Sequence, residues 1–166
     1  MSGRDDGPTG TRSASRRRAL SILYEADLLE QPIAEVLDRH LDDRKDPPDG
    51  YAVELVRGVE SLRGELDERI GEAAEHWTIQ RMPLVDRNLL RLASYELVAR
   101  PEVPTAVALD EAIELAKLLS TTDSGRFVNG VLGRVASEVR EVAPSTTEAG
   151  DQTPKGRRGG PRREPH

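Results

Sequence analysis

The sequence predicts an all-α protein of about six or seven helices, in which antiparallel neighbours are joined by short loops. Three observations support this prediction. Apolar residues recur at helical spacing from about residue 14 to about residue 140, no segment shows the alternation of a convincing strand, and prolines separate the periodic stretches. A chain of 166 residues is long enough for one such domain with its own core.

The first two helices are expected on either side of Pro32. Residues 15–30 carry an apolar stripe, and either Ser13 or Ser15 can cap the N-terminus of this helix. Pro32 suits the first turn of the second helix, in which apolar residues recur at helical spacing. The charged residues 42–50 that follow have the composition of a loop.

A long third helix is expected over about residues 51–75, although Gly58, Gly64 and Gly71 interrupt it. Each glycine weakens a helix by roughly 1 kcal/mol relative to alanine, so packing must hold this helix together. Trp77 falls in a short connector, and a fourth helix is expected over about residues 84–99.

The strongest helix signal lies in AVALDEAIELAKLL, residues 106–119, which consist almost wholly of good helix formers. Prolines in the preceding segment separate it from the fourth helix. After a link at residues 120–124, a last helix extends to about residue 139, with Asp123 or Ser124 as its N-cap.

Phe127, the only phenylalanine of the chain, begins the apolar stripe of this last helix. Its spacing from Val131 favours a core position, while its place at a helix start also suits stacking on a nucleic-acid base. We expect Gly130 and Gly133 to permit close contact with another helix.

Both ends of the chain, residues 1–13 and 141–166, are expected to be disordered and basic. Residues 1–18 and 155–166 together hold ten of the 24 basic residues but three of the 30 acidic ones, in a chain whose net charge is −6. An acidic body with basic ends suits contact with nucleic acid at the ends, or with a basic protein elsewhere. Solvated tails that only improve solubility fit the same pattern.

The sequence contains no motif typical of a catalytic or metal site. Cysteine is absent, which removes disulfides and thiolate chemistry and fits a cytoplasmic protein. The three histidines lie outside metal-binding spacings, and no phosphate-binding or dinucleotide-binding glycine motif occurs. No apolar run approaches the ~18 residues that cross a bilayer. We therefore predict a cytoplasmic binding protein that is not an enzyme, with no metal, cofactor or membrane contact.

The arginine run at the start of the first helix has the chemistry of a phosphate site. Arg16, Arg17 and Arg18 are consecutive, and guanidinium groups beside the free N–H groups of a helix N-terminus favour an anion. Tyr24, two turns further on, either presents its ring to a base or packs in the core with its hydroxyl at the rim.

Three segments of the sequence resemble the family of the bacterial transcription antitermination factor NusB. They are RRRALSILYEADL (16–28), VDRNLLRLASYEL (85–97) and VPTAVALDEAIELAKLLSTTDSGRFVNGVLGRV (103–135), in the order and spacing of that family. The resemblance covers about residues 14–140. It implies an all-α fold of two small packed bundles, roughly residues 14–77 and 78–140.

The resemblance also implies a function. Members of the family bind boxA, a short single-stranded element of ribosomal RNA leader transcripts, together with the small ribosomal protein NusE, and the complex helps RNA polymerase resist premature termination. The RNA-binding residues that the resemblance implies here are Arg12, Arg16, Arg17, Arg18, Tyr24, Asp123, Ser124 and Phe127. The candidates for contact with the protein partner are Asp86, Arg91 and Glu96.

Other functions stay open at this stage. The chain could be a helical protein-interaction adaptor without sequence-specific RNA binding. A helical DNA-binding regulator is disfavoured, because no recognition helix with exposed basic and amide residues is evident. A similar domain precedes a ribosomal RNA methyltransferase, but no glycine-rich cofactor loop follows here. The sequence leaves open whether apolar helix faces are covered in a homodimer, which would mask the RNA surface.

Overall fold

Six α-helices and one short 3-10 turn form the described part of the chain, residues 8–75 and 77–141, in a computed structural model. The elements are α1 (Pro8–Leu28), α2 (Ile33–Leu41), α3 (Gly50–Ala73), the 3-10 turn (Ile79–Arg81), α4 (Leu84–Ala99), α5 (Thr105–Leu119) and α6 (Thr122–Glu141). No strand occurs in these residues, so the all-α prediction is confirmed. The predicted disorder of residues 1–7 and 142–166 lies outside the described residues.

The first helix begins earlier than the sequence predicts. Because α1 begins at Pro8, residues 8–13 of the expected disordered arm are helical, and a proline is well suited to a first helical turn. Neither Ser13 nor Ser15 is therefore at the helix N-terminus. Ser15 is buried, and its hydroxyl donates to Asp49 Oδ2 at 2.5 Å, which links α1 to the start of α3.

Short side chains and prolines set the starts of the other helices. Prolines directly precede α2, α4 and α5. Asp49 Oδ1 accepts the N–H of Ala52 at 2.7 Å and caps α3. At α6, Thr121 Oγ1 accepts the N–H of Ser124 at 3.1 Å. The cap expected from Asp123 or Ser124 is thus supplied by Thr121, and both predicted residues lie within the first turn.

Helix α4 lies at the centre of the packing. It contacts α1 and α3 on one side and α5 and α6 on the other, so one continuous core joins these helices. The division into two small bundles stays a prediction. Its apolar side chains Leu89, Leu90 and Leu97 are almost fully buried. Because helices surround α4, several of its polar side chains are also buried.

Gly58 marks a close approach of α3 to α4. A Cβ atom added at Gly58 would overlap the ring of Tyr95, a buried side chain on α4. We expect Gly58→Ala to lower the free energy of unfolding by about 1–3 kcal/mol, as overpacking does. Urea denaturation followed by circular dichroism measures this change.

Gly130 offers a matched control on α6. A Cβ atom added at Gly130 or Gly133 meets nothing within 4 Å, so the prediction that these glycines permit close helix contact is wrong. Gly130→Ala should leave stability unchanged or raise it by up to about 1 kcal/mol, because alanine favours a helix. Equal losses of stability in the two variants would contradict the close approach at Gly58.

Candidate nucleic-acid interface

A groove between α1 and α5, which we call the arginine groove, presents part of the arginine run. Arg17, Arg18 and Ser21 line one side, and Glu111 and Leu118 contribute to the other, around a volume of about 760 Å³. Arg17 is exposed and has no hydrogen bond or ion pair with another described residue. It is therefore the guanidinium of the run that is most available to a ligand.

Two other arginines of α1, Arg18 and Arg12, have partners within the chain. Arg18 donates to Asp46 Oδ2 and to the Asp46 carbonyl, both at 2.6 Å. Arg12 lies over the ring of Tyr51, 4.8 Å from its centroid, in a cation–π contact. Both arginines are partly exposed. A phosphate reaching either of them would compete with an existing contact.

Arg16 lies inside the protein and not in the groove. It is 2% exposed, and its Nε and Nη2 donate to the two carboxylate oxygens of Glu96 at 2.7 and 2.8 Å. The hydroxyl of Tyr51 donates to the same carboxylate at 2.6 Å. Paired hydrogen bonds of this kind are strong and directional. Arg16 and Glu96 therefore hold α1 to α4 from buried positions, and their contacts with RNA and with a protein partner stay predictions.

The electrostatics of this cluster keep Arg16 charged and Tyr51 protonated. Burial opposes the charge of Arg16, but the hydrogen bond and the charge of Glu96 outweigh burial and raise its pKa. Burial, together with the hydrogen bond to Glu96, raises the pKa of the Tyr51 hydroxyl. The pair is thus a fixed structural link between helices.

The remaining candidates for a protein partner, Asp86 and Arg91, are also buried, at 3% and 5% exposure. Arg91 donates to the two carboxylate oxygens of Asp67 at 2.7 and 3.0 Å, and it lies 3.5 Å from Asp27. Asp86 accepts a hydrogen bond from Ser124 Oγ at 3.0 Å. Both side chains bind neighbouring helices, and their contact with a protein partner stays a prediction.

A second surface lies at the start of α6. Phe127 is half-buried against the core, and its ring meets Trp77 edge-to-face with the centroids 6.4 Å apart. A pocket of about 240 Å³ lies beside this pair, and we call it the aromatic pocket; its lining residues are Trp77, Met82, Pro83, Asp86, Thr121, Asp123, Ser124 and Phe127. Phe127 thus packs against the core and also lines a pocket, and stacking of its ring on a base stays a prediction.

The predicted RNA-binding residues thus fall into separate places. Asp123 and Phe127 line the aromatic pocket. Ser124 lines it too, but this residue is buried and its hydroxyl donates a hydrogen bond to Asp86. Tyr24 is half-buried on α1 and lines neither surface. The sequence did not single out Trp77 as a site residue, although a lone tryptophan outside any helix was a usable signal.

Other kinds of site find no support in residues 8–75 and 77–141. No group of three potential ligand side chains there could hold a metal ion. No helix in this part of the chain is long and apolar enough to cross a membrane. The fold and the two surfaces define the class: a small all-helical protein whose candidate site is an open surface.

The chain belongs to the NusB family, whose model matches residues 13–137. It is similar to the transcription antitermination protein NusB of Salinispora arenicola, with 51% identity over 128 residues that cover 75% of this chain and 94% of the relative. The protein of the same name from Saccharopolyspora erythraea is 52% identical over 129 residues, which cover 76% of this chain and 87% of the relative.

Solved structures agree with this family. T. maritima NusB superposes with a TM-score of 0.68 and 35% identity, covering 76% of this chain and 91% of that chain. NusB in a complex of antitermination factors NusB and NusE with dsRNA superposes with a TM-score of 0.68 and 27% identity, covering 76% and 96%. The resemblance predicted from three sequence segments is confirmed.

Proposed function

We propose that this chain is a transcription antitermination factor that binds boxA-type single-stranded RNA of ribosomal RNA leader transcripts together with the ribosomal protein NusE. In that complex it helps RNA polymerase resist premature termination. Membership of the NusB family supports this function. RNA binding is supported chiefly by one observation. The exposed Arg17 and the ring of Phe127 line two surfaces that both reach the C-terminal end of α5.

The C-terminal end of α5 connects the two surfaces. Leu118 lines the arginine groove and Thr121 lines the aromatic pocket. Three residues of chain span at most about 11 Å. A short single strand can therefore place phosphates in the groove and a base in the pocket, which is how single-stranded RNA is commonly bound.

Each surface has a distinct role in this proposal. Arg17, assisted by Arg18 and Arg12, binds phosphates, and Phe127 stacks on a base. Asp123 repels phosphate but accepts a hydrogen bond from a base amino group. The role of Tyr24 in RNA binding stays a prediction, because it lines neither surface.

Binding of NusE is supported by charge. The chain as a whole carries a net charge of −6 although its ends are basic. An acidic surface attracts a basic ribosomal protein and speeds their association. With Asp86, Arg91 and Glu96 buried, the exposed carboxylates of the helices supply this attraction. No enzymatic step, metal or cofactor enters the proposal, and a role in transcription places the protein in the cytoplasm.

The salt dependence of RNA binding follows from the number of available arginines. With Arg16 buried, Arg12, Arg17 and Arg18 can neutralise about three phosphates, so the log–log slope of affinity against salt should be near −2 for single-stranded RNA. Fluorescence anisotropy of labelled RNA between low and moderate salt measures it. Arg17→Gln should make the slope shallower, whereas a flat response of the unmodified protein would exclude the arginine groove.

A filter-binding comparison tests the function directly. The probes are boxA RNA, a scrambled RNA of the same composition, duplex RNA and duplex DNA, each with and without NusE. The proposal requires that boxA RNA binds most tightly and that NusE increases its affinity. If the chain binds NusE but shows no preference among the nucleic acids, the protein-interaction adaptor is favoured. If the chain prefers duplex DNA, a DNA-binding regulator is favoured.

Formation of a homodimer stays a prediction. Four leucines near the C-terminal ends of α1 and α5 are between 47% and 61% exposed: Leu28, Leu29, Leu118 and Leu119. Leu118 also lines the arginine groove, so a dimer that covered it would compete with RNA. Sedimentation with and without RNA distinguishes a competing dimer from a monomer.

A further inference from the structure

The last turn of α6 is fixed against the connection between α4 and α5. The guanidinium of Arg140 donates to the carbonyls of Leu97 and Val103 at 3.2 and 3.0 Å. It also donates to the carbonyl of Arg100 at 3.4 Å. These contacts hold the end of α6 beside Arg100, so the chain after Glu141 starts from a defined place on the fold.

Arg100 links this place to the start of α1. Its guanidinium lies 5.4 Å from the centroid of the Tyr51 ring, and the guanidinium of Arg12 lies 4.8 Å from the same centroid. Arg12 belongs to the second turn of α1. Helix α6 therefore ends on the side of the molecule on which α1 begins, and the two basic ends of the chain are attached to the fold close together.

The arginine groove has one of its ends on this side. Ser13, the residue after Arg12, lines the groove and donates to Glu111 on α5. Leu118 lies seven residues, about 10 Å, further along α5 in the direction of the aromatic pocket. An RNA strand that occupies both surfaces therefore leaves the groove beside Arg12 and the end of α6.

A block of basic residues follows α6 in the sequence. Residues 155–163, KGRRGGPRR, contain one lysine, four arginines and no acidic residue, and we call them the arginine tail. Segments rich in arginine and glycine commonly bind single-stranded nucleic acid. The family model ends at residue 137, so the arginine tail is not among the features that the chain shares with the NusB family. The fourteen residues from Glu141 to Lys155 can span up to about 50 Å.

We propose that the arginine tail binds the phosphates of RNA that extends beyond the arginine groove, and so lengthens the RNA-binding site at the end beside Arg12. This proposal rests on the proposed function and deepens it. Guanidinium groups bind phosphates through paired hydrogen bonds, whatever the base sequence. Two carboxylates near the end of α6, Glu54 and Glu102, already pair with Arg100, which leaves the charge of the tail for RNA.

The dependence of affinity on RNA length tests this proposal. The probes are boxA RNA alone and boxA RNA with a run of about 15 uridines added at its 5′ end or at its 3′ end. Fluorescence anisotropy compares the full chain with a chain truncated after Pro154, and circular dichroism verifies that both are folded. Extension at one end should raise the affinity of the full chain about tenfold, but that of the truncated chain by less than about twofold. Unextended boxA RNA should bind both chains equally.

Paired substitutions separate the charge of the tail from its length. Arg157→Gln combined with Arg158→Gln should reduce the gain from extension about threefold and make the log–log salt slope for the extended RNA shallower by about 1.4. Arg44 and Lys45 supply the matched control, because they are adjacent exposed cations that line neither surface. Replacing both with glutamine should leave the gain unchanged.

The outcomes separate this proposal from the proposed function. An equal gain in the full and truncated chains overturns the proposal, and so does an equal reduction of the gain in the two double variants. A rise in affinity for unextended boxA RNA on truncation also overturns it, because the tail would then cover the folded surface. In these cases preferential binding of boxA RNA with NusE keeps the function. Failure of boxA RNA to bind even with NusE overturns both.

Discussion

Replacing Glu96 with alanine is expected to lower the free energy of unfolding by about 3–5 kcal/mol, the cost typical of breaking a buried ion pair. Arg16 would then keep its charge at 2% exposure without the carboxylate that accepts two of its hydrogen bonds. The hydroxyl of Tyr51 would lose its acceptor as well. Urea denaturation followed by circular dichroism measures the change.

Glu54 supplies the matched control. It pairs with Arg100, but its side chain is 43% exposed, and exposed pairs contribute only about 0–1 kcal/mol. Glu54→Ala should therefore cost at most about 1 kcal/mol. If Glu96→Ala cost no more than Glu54→Ala, the Arg16–Glu96 pair would not be the strong link between α1 and α4 that its burial indicates.

Replacing Phe127 with alanine should reduce the affinity for boxA RNA by about 1–3 kcal/mol, the contribution of one base stacked on an aromatic ring. The ring is half-buried against the core, so the variant should also lose stability. RNA binding must therefore be measured per folded molecule, under conditions in which circular dichroism indicates a fully folded variant.

Val131 separates the two roles of this helix face. It lies one turn beyond Phe127, is 4% exposed, and does not line the aromatic pocket. Val131→Ala should lower stability without changing the RNA affinity of folded molecules. An unchanged RNA affinity in folded Phe127→Ala would assign Phe127 to the core alone.

Helical periodicity was sufficient to predict most of the fold. The fourth predicted helix, residues 84–99, coincides with α4, and the predicted 106–119 helix differs from α5 by one residue. Pro83 and Pro104 directly precede these two helices, so their starts could be predicted from the local sequence alone. The start of α1 was missed, because residues 8–13 have a composition typical of disordered segments.

The candidate site was less predictable, because it depends on which way neighbouring side chains point. Consecutive helical residues are rotated by about 100°, so Arg16 and Arg17 cannot share one face. The interior position of Arg16 is fixed by Glu96, which is 80 residues away in sequence. Asp86, Arg91 and Glu96 were candidates for contact with a protein partner, but all three are buried, because α4 has helices on both sides.

The most direct test of the account is a map of the RNA contacts on the folded protein. Amide and indole chemical-shift changes of the isotope-labelled chain are recorded during titration with boxA RNA. We expect the changes to cluster at residues 17–21 and 121–127 and at the indole N–H of Trp77, with little change in α2. Changes concentrated in α2 and the middle of α3, with none at the arginine groove or the aromatic pocket, would contradict the account.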